Sequence, residues 1–240
     1  MVAAPVSPLE RQQLESARAA TATYWHRARF ELVAREAERL GVASLLDIGA
    51  GAGLLGSWLA VQRPAWRYRF EETSTVLRDE LVSRFGTAAA SDRGALIPAG
   101  TMVAMLDVLE HIDDDRAALS ALHDRLPAGG PIVVTVPAMQ WAFSSWDTEL
   151  GHHRRYSRRR LRDDLTAAGF EVRSVSYLFP ELFPLLLVRR LRRAPRDQVD
   201  FPELSRTVDA IGHAVARATT ATRGAWPFGT SVVAVATRRA

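Results

Sequence analysis

The 240-residue chain contains no cysteine. That excludes disulfides, thiolate nucleophiles and cysteine-ligated zinc in one step. Lysine is also absent, all 31 basic residues being arginine. A Schiff-base lysine and a P-loop lysine are therefore unavailable, and the ATPase and aldolase-type chemistries that need them fall away. No run of about 18 apolar residues occurs, the length a membrane-spanning helix requires. The opening MVAAPVSPLERQQLE meets proline and charge too early for the apolar core of a signal peptide, so a soluble cytoplasmic protein is expected.

What is present suits one folded unit. The chain is 48% hydrophobic, enough for one sizeable core and short for two. Its net charge of +4 is uneven, with arginines clustered at Arg154–Arg162 and Arg189–Arg196. Neither cluster interleaves aromatic residues at intervals suited to base stacking, so no nucleic-acid partner is expected.

Ser7-Pro8-Leu9-Glu10 combines a cap, a first-turn proline and a capping-box acid, and predicts a helix start. A second helix is expected from about Trp25 to Leu40, with Gly41 as its stop. From Ser44 the pattern becomes short apolar runs alternating with helical stretches, the signature of a parallel sheet with crossover helices. Strands are expected at 44–48, 66–71, 102–106 and 131–136, with a weak one near 87–90. Helices are expected at 54–62, 75–84 and 114–126. Ser157 caps a further helix through Ala168, and strands follow at 169–177 and 229–237. The stretch 180–226 between them is too long for a turn and is read as a mainly helical insertion.

Asp47-Ile48-Gly49-Ala50-Gly51-Ala52-Gly53 places three alternate glycines where an apolar strand turns into a helix, so backbone and ligand can approach closely. Gly51-Ala52-Gly53-Leu54-Leu55-Gly56 also satisfies the dinucleotide pattern, with Glu71 or Glu72 about 20 residues on. Asp47 separates the readings: a pyrophosphate would be repelled there, whereas a ligand carrying an ammonium and a sulfonium would be attracted. Alternatively Asp47 only caps the turn. At the end of the second strand, Glu72 is read as the acid that grips two ribose hydroxyls, and Glu71 as an exposed capping acid.

Together the glycine segment, Glu72-Thr73-Ser74 and Asp107-Val108-Leu109-Glu110-His111-Ile112-Asp113-Asp114 resemble class I methyltransferases dependent on S-adenosylmethionine (SAM). A Trp146-Asp147-Thr148-Glu149-Leu150-Gly151-His152-His153-Arg154-Arg155-Tyr156-Ser157 segment resembles a bacterial small-molecule branch with a D…GHxRRY stretch, and Pro227-Phe228-Gly229-Thr230-Ser231 is similar too. The resemblance implies a Rossmann-like, seven-stranded α/β sheet with helices on both faces. It implies a single domain, 1–240: N-terminal cap helices over 1–43, a cofactor half over 44–137 and a substrate half over 138–240. It also implies SAM as cofactor, S-adenosylhomocysteine as product, and cofactor roles for Asp107, Val108 and Asp92, the last at adenine. Gly49, Gly51, Gly53, Asp47, Glu72 and Thr73 complete that set. Tyr24 and Arg29 precede the first strand, where a lid helix covers the cofactor in this class.

The expected reaction is methyl transfer to an oxygen or nitrogen of a small molecule in the biosynthesis of a natural product or modified metabolite. An NAD-dependent oxidoreductase and a non-catalytic partner of the same fold are the rival readings. His111, Asp147, His152 and Tyr156 are the candidate catalytic groups, because they follow the fourth and fifth strands, where open α/β sheets bind ligands. His152 and Asp147 are spaced to form a base and its orienting carboxylate, or else belong to a structured turn. Asp113-Asp114-Asp115 opens a helix, where the dipole explains an acid run, so no metal is expected. The apolar stretch 177–193, running into arginines, is open to three uses: pocket wall, homodimer surface or peripheral membrane patch.

Overall fold

In the computed structural model, residues 22–192 and 204–239 are described. The helix expected at Ser7 lies outside them. The order is α1 (Tyr24–Arg39), β1 (Ser44–Ile48), α2 (Leu54–Gln62), β2 (Arg67–Glu71), α3 (Thr75–Phe85), β3 (Thr101–Leu106), α4 (Asp115–Arg125) and β4 (Pro131–Pro137). Then follow α5 (Ser145–Glu149), α6 (Arg158–Ala167), β5 (Phe170–Leu178), α7 (Phe183–Arg192), α8 (Arg206–Ala221) and β6 (Ser231–Arg238).

The strands form one sheet in the order β2-β1-β3-β4-β6-β5. β1 pairs in parallel with β2 and β3, and β3 with β4, while β6 runs antiparallel to both neighbours. Residues alternate faces along each strand, so each strand feeds two cores. Leu46, Val103 and Met105 pack with Ile132 and Val134 against Leu119 of α4 and Leu161 and Leu165 of α6. Leu45, Met102, Ala104 and Val133 pack on the other face against Phe30 and Val33 of α1 and Leu55 and Leu59 of α2. Continuously buried β3 and β4 are what helices on both faces of a parallel sheet require.

The described residues contain six strands where seven were expected. Near 87–90 only Ala90 joins the sheet, through one parallel bridge to Phe70. Thr87–Ala89 instead coil into a 3₁₀ turn after Gly86, and the Ser91 amide closes on the Phe70 carbonyl at 2.8 Å. Three successive alanines, Ala88 to Ala90, offer too little apolar area to hold a longer strand at the sheet edge.

The described residues of the insertion after β5 are mainly helical, and α8 lies against α1. Asp209 accepts from Arg27 at 2.6 Å, Glu31 meets His213 at 3.0 Å and Arg217 at 2.9 Å, and Glu36 meets Arg223 at 2.7 Å. Helix α1, which precedes the cofactor half in sequence, is thus held in place by residues almost 200 positions later. Leu185, Leu187 and Val188 of α7 and Val208, Ile211 and Val215 of α8 remain exposed. No helix among the described residues is long and apolar enough to cross a membrane.

Candidate active site

The glycine turn after β1 forms because three residues there take a backbone that side chains disfavour. Gly49, Gly51 and Gly53 have φ of 71°, 53° and 68°. At Gly49 a methyl group would also lie 2.7 Å from a Val108 methyl, so the β1 and β3 ends approach more closely than any other residue allows. Asp47 sits beneath this turn, buried, and accepts from the Tyr68 hydroxyl at 3.0 Å. Burial pushes its carboxyl up to about 7, against the Tyr68 hydrogen bond and with a further push from Glu72. A cation docked here would be met by a group whose charge it stabilises.

Glu72 folds back over the same turn. One carboxylate oxygen accepts from the Gly51 amide at 2.8 Å, the other from the Thr73 and Ser74 amides at 2.7 and 2.9 Å. With a longer contact from the Thr73 hydroxyl at 3.4 Å, these bonds fix the carboxylate and occupy Oε1, leaving acceptor capacity on the Gly51-bonded oxygen alone. Glu71 is not the exposed capping acid expected of it. It is 3% exposed and ion-paired with Arg125 of α4, tying the β2 end to the opposite helix layer. Asp92 stands exposed in the turn after the Ala90 bridge, its carbonyl accepting from Ala95.

Asp107 is the first residue past β3 and has φ of 57°, a left-handed conformation in a non-glycine residue. Met139 and Phe179, just past β4 and β5, share it, so strain concentrates at one end of the sheet. The Asp107 carboxylate is ion-paired with Arg29 of α1 and accepts from the Thr135 hydroxyl at 3.1 Å. Desolvation opposes its charge, but Arg29 and Thr135 prevail and hold its carboxyl below the ordinary value. Tyr24, grouped with Arg29 from sequence, points elsewhere: it is buried against Gly212 of α8 and stacks edge-on with Trp25. One helix places the two residues on different faces.

The GHHRRY segment is stitched across two strand ends. The His153 amide donates to the Glu110 carbonyl at 2.7 Å, the Tyr156 amide to the Pro137 carbonyl at 2.8 Å and the Met139 amide to the Tyr156 carbonyl at 3.0 Å. His152 is thereby brought against His111, ring centroids 4.6 Å apart and nearly perpendicular. Behind it lies Asp147, fully buried, with one oxygen accepting from His152 Nδ1 at 3.0 Å and from Arg155 Nε at 2.7 Å. Its other oxygen accepts from the Ser144 amide at 2.9 Å. In the neutral ring, the carboxylate acceptor assigns the hydrogen to Nδ1 of His152 and leaves the lone pair on Nε2. Burial pulls His111 below the ordinary histidine value, and the neighbouring His152 adds to the effect, so the His111 ring favours its neutral form.

Tyr156 is corrected from catalysis to structure. Its side chain is 0% exposed and its hydroxyl donates to Asp115 at 2.7 Å. Burial, with Asp115 beside it, raises the phenol far beyond any working pH. Asp115 also meets Arg154 and Arg160, each at 3.1 Å, and Asp114 caps α4 by accepting from the Ala117 amide at 2.9 Å.

A family model described as a methyltransferase domain matches residues 24–175. The chain belongs to this methyltransferase family. No curated protein sequence matches it. Among solved structures, it is similar to a complex of the Haloferax volcanii Trm112 methyltransferase activator with a protein assigned as a methyltransferase. Identity is 16%, 98% of each chain is covered and the TM-score is 0.62. It is also similar to the 4+2 cyclase SpnF, at 17% identity over 96% of this chain and 93% of that one, with a TM-score of 0.58. A third likeness is to phosphoethanolamine N-methyltransferase 2 of Haemonchus contortus in complex with SAM. There identity is 17%, 83% of this chain and 49% of that one are covered, and the TM-score is 0.50. These likenesses show a Rossmann-like methyltransferase fold with a mixed sheet, and the family match with them supports SAM as the cofactor.

Two residues beside these candidate groups were not singled out from the sequence. Arg155 was quoted only as part of a motif, yet it binds Asp147 and, through its amide, the Gln140 side chain at 2.9 Å. Glu110 stands between Asp107 and His111, fully buried, and neither of its oxygens accepts a hydrogen bond. It lies on the short 3₁₀ turn Leu109–His111. Neither a period of two nor one of 3.6 predicts which way a side chain points from such a turn, so only its acidity beside a histidine signalled it.

Proposed function

We propose that this chain transfers the methyl group of SAM to an oxygen or nitrogen of a small molecule, in the biosynthesis of a natural product or modified metabolite. The observation that carries the reading is the convergence of Asp47, Glu72 and Asp107 on one glycine turn at the carboxyl ends of parallel strands. That donor set fits the cofactor: acids for an ammonium and a sulfonium, and a fixed carboxylate whose Gly51-bonded oxygen can accept a ribose hydroxyl. A pyrophosphate would meet the same acids as repulsion, which disfavours the NAD reading.

SAM supplies an electrophilic methyl group on a good leaving group, so orientation of the two reactants dominates the rate, worth about 7–11 kcal/mol at most. In this reading Asp47, Gly49, Gly51 and Gly53 bind the methionine end, Glu72 with Thr73 the ribose, and Asp92 the adenine. Asp107, Val108 and Arg29 line the reacting side. His111 and His152 face the acceptor, with Asp147 orienting His152 so that Nε2 can take a proton, a contribution of about 10²- to 10⁴-fold.

The chain is read as one domain with its insertion at 180–226, working in the cytoplasm. The exposed Leu185, Leu187 and Val188 support a homodimer or membrane-surface contact through 177–193. The Trm112 complex among the similar structures supports a partner-protein contact as well. The cyclase in the same fold class supports testing catalysis directly and not inferring it from shape.

Calorimetric titration with SAM, S-adenosylhomocysteine and NAD(H), with Asp47→Ala as control, tests the reading. Micromolar binding of the two sulfur nucleosides that the variant loses is expected. Binding of NAD(H) alone, or of none of the three, overturns it.

A further inference from the structure

We propose that Glu110, His111 and His152 form a site for one divalent first-row metal ion of the zinc or iron(II) type. Each of the three offers a ligand atom, and these atoms all lie within 4.8 Å of one another. Two imidazoles and one carboxylate are a donor set that suits such ions while leaving coordination positions open.

The second observation is independent of the clustering. Glu110 is 0% exposed, and both its carboxylate oxygens are buried without a hydrogen-bond partner. An acid in that state costs stability unless something compensates it. The neighbouring guanidinium groups are hydrogen-bonded elsewhere, Arg29 to Asp107 and Arg155 to Asp147, and reach Glu110 only through space. A cation between Glu110 and the two rings supplies the missing partner.

The surroundings are also those of a ligand set. His152 donates Nδ1–H to the buried Asp147, which fixes the tautomer of the neutral ring and leaves Nε2 as its ligand atom, on a ring packed against His111. A carboxylate behind a ligating histidine is the usual outer-shell arrangement of a metal site. Bonds of about 2.0–2.2 Å put neighbouring ligand atoms about 3.3 Å apart, so the cluster would close by up to about 1.5 Å on loading. His152 sits in a loop and His111 at the end of a short turn, where that movement disturbs no strand.

The site adjoins Asp107, on the reacting side. Resting on the reading of the previous section, the open position would take a hydroxyl oxygen of the methyl acceptor and make that hydroxyl more acidic. The substrate class then narrows to oxygen acceptors with a second oxygen placed to chelate. His152 would act by ligation, with Asp147 as its positioning residue.

The test uses the full-length chain, stripped with a chelator and titrated with Co²⁺ while visible absorption is followed, then challenged with Zn²⁺. One equivalent of Co²⁺ should bind and give a ligand-field band that Zn²⁺ abolishes. Glu110→Gln and His152→Ala should each weaken binding at least tenfold, and His153→Ala, one residue away and 44% exposed at its side chain, should not. Far-UV circular dichroism and thermal unfolding of each variant report whether the fold survives, and SAM titration without metal tests the cofactor reading separately. Absence of saturable one-equivalent binding, or equal loss in His153→Ala, overturns the metal site. If the metal binds and SAM does not, the site stands and the methyl-transfer reading falls.

Discussion

Arg29, on α1, and Asp107, at the strained first residue past β3, form an ion pair across the mouth of the sheet. Arg29 is 7% exposed at its side chain, and its Nε is buried without a partner. The pair therefore fixes where the helix lies and keeps Asp107 charged.

Removing Arg29 should cost both fold and cofactor. Breaking a fully buried pair costs about 3–5 kcal/mol. The Asp107 side chain is 35% exposed, so about 1–3 kcal/mol is expected for Arg29→Ala by denaturant unfolding. SAM affinity should fall at least tenfold. Adding Asp107→Asn should recover part of the stability and none of the affinity; recovered affinity would mean that the pair is only structural.

Much of this arrangement was legible in advance, and the exceptions share a cause. The β1 strand and the helix over 54–62 were marked by their own residues: an apolar run, three glycines and a helical stretch. The pairing of His152 with Asp147 was readable because both lie on one short connection. Glu71, Tyr24 and Tyr156 were misplaced because their partners, Arg125, Gly212 and Asp115, are distant in sequence. A period describes a face, whereas these three depend on which helix covers it. The missing seventh strand is a different failure, since Ala88–Ala90 have strand-like neighbours but too little side chain to earn a ladder.

Asp47 should set opposite pH dependences for stability and for binding. Its carboxyl is raised from 3.8 to about 7 in the fold, so the folded state holds the proton more tightly than the unfolded one. Its contribution is then favourable at low pH and is lost as pH rises from about 4 through 7. Asp47→Asn should match the native chain near pH 4 and exceed it above pH 7, by up to about 4 kcal/mol. SAM affinity of the native chain should rise over the same interval and then level off. A flat affinity between pH 5 and 8 would remove Asp47 from the cation's site.

Gly49→Ala should be damaging for two separable reasons. The φ of 71° strains any side chain, and the added methyl would meet Val108 at 2.7 Å. Together these predict a loss of about 1–3 kcal/mol and of SAM binding. Pairing it with Val108→Ala should relieve the contact and leave the backbone strain, so stability should return in part only. Full return would show that the left-handed turn is not required.

Tyr156→Phe separates a structural residue from a catalytic one. The variant removes a donor from buried Asp115, which keeps Arg154 and Arg160, so about 1–3 kcal/mol of stability should go. SAM affinity and turnover below the melting range should be unchanged. Lower turnover at unchanged melting temperature would return Tyr156 to the site.

Asp147→Asn addresses the other side of the cleft. Asp147 fixes which nitrogen of His152 carries hydrogen, and that matters equally whether Nε2 takes a proton or holds an ion. Burial opposes its charge, but the bonds from His152 and Arg155 hold its carboxyl below the ordinary value, so it stays ionised throughout the working range. The asparagine loses that bias, and turnover should fall by about 10- to 100-fold, the usual effect of an outer-shell carboxylate, with SAM affinity unchanged. Arg155→Ala is the control, because it breaks the same buried cluster and leaves the Asp147–His152 bond intact. If that variant loses as much turnover as Asp147→Asn, the carboxylate acts through the stability of the loop and not through the histidine.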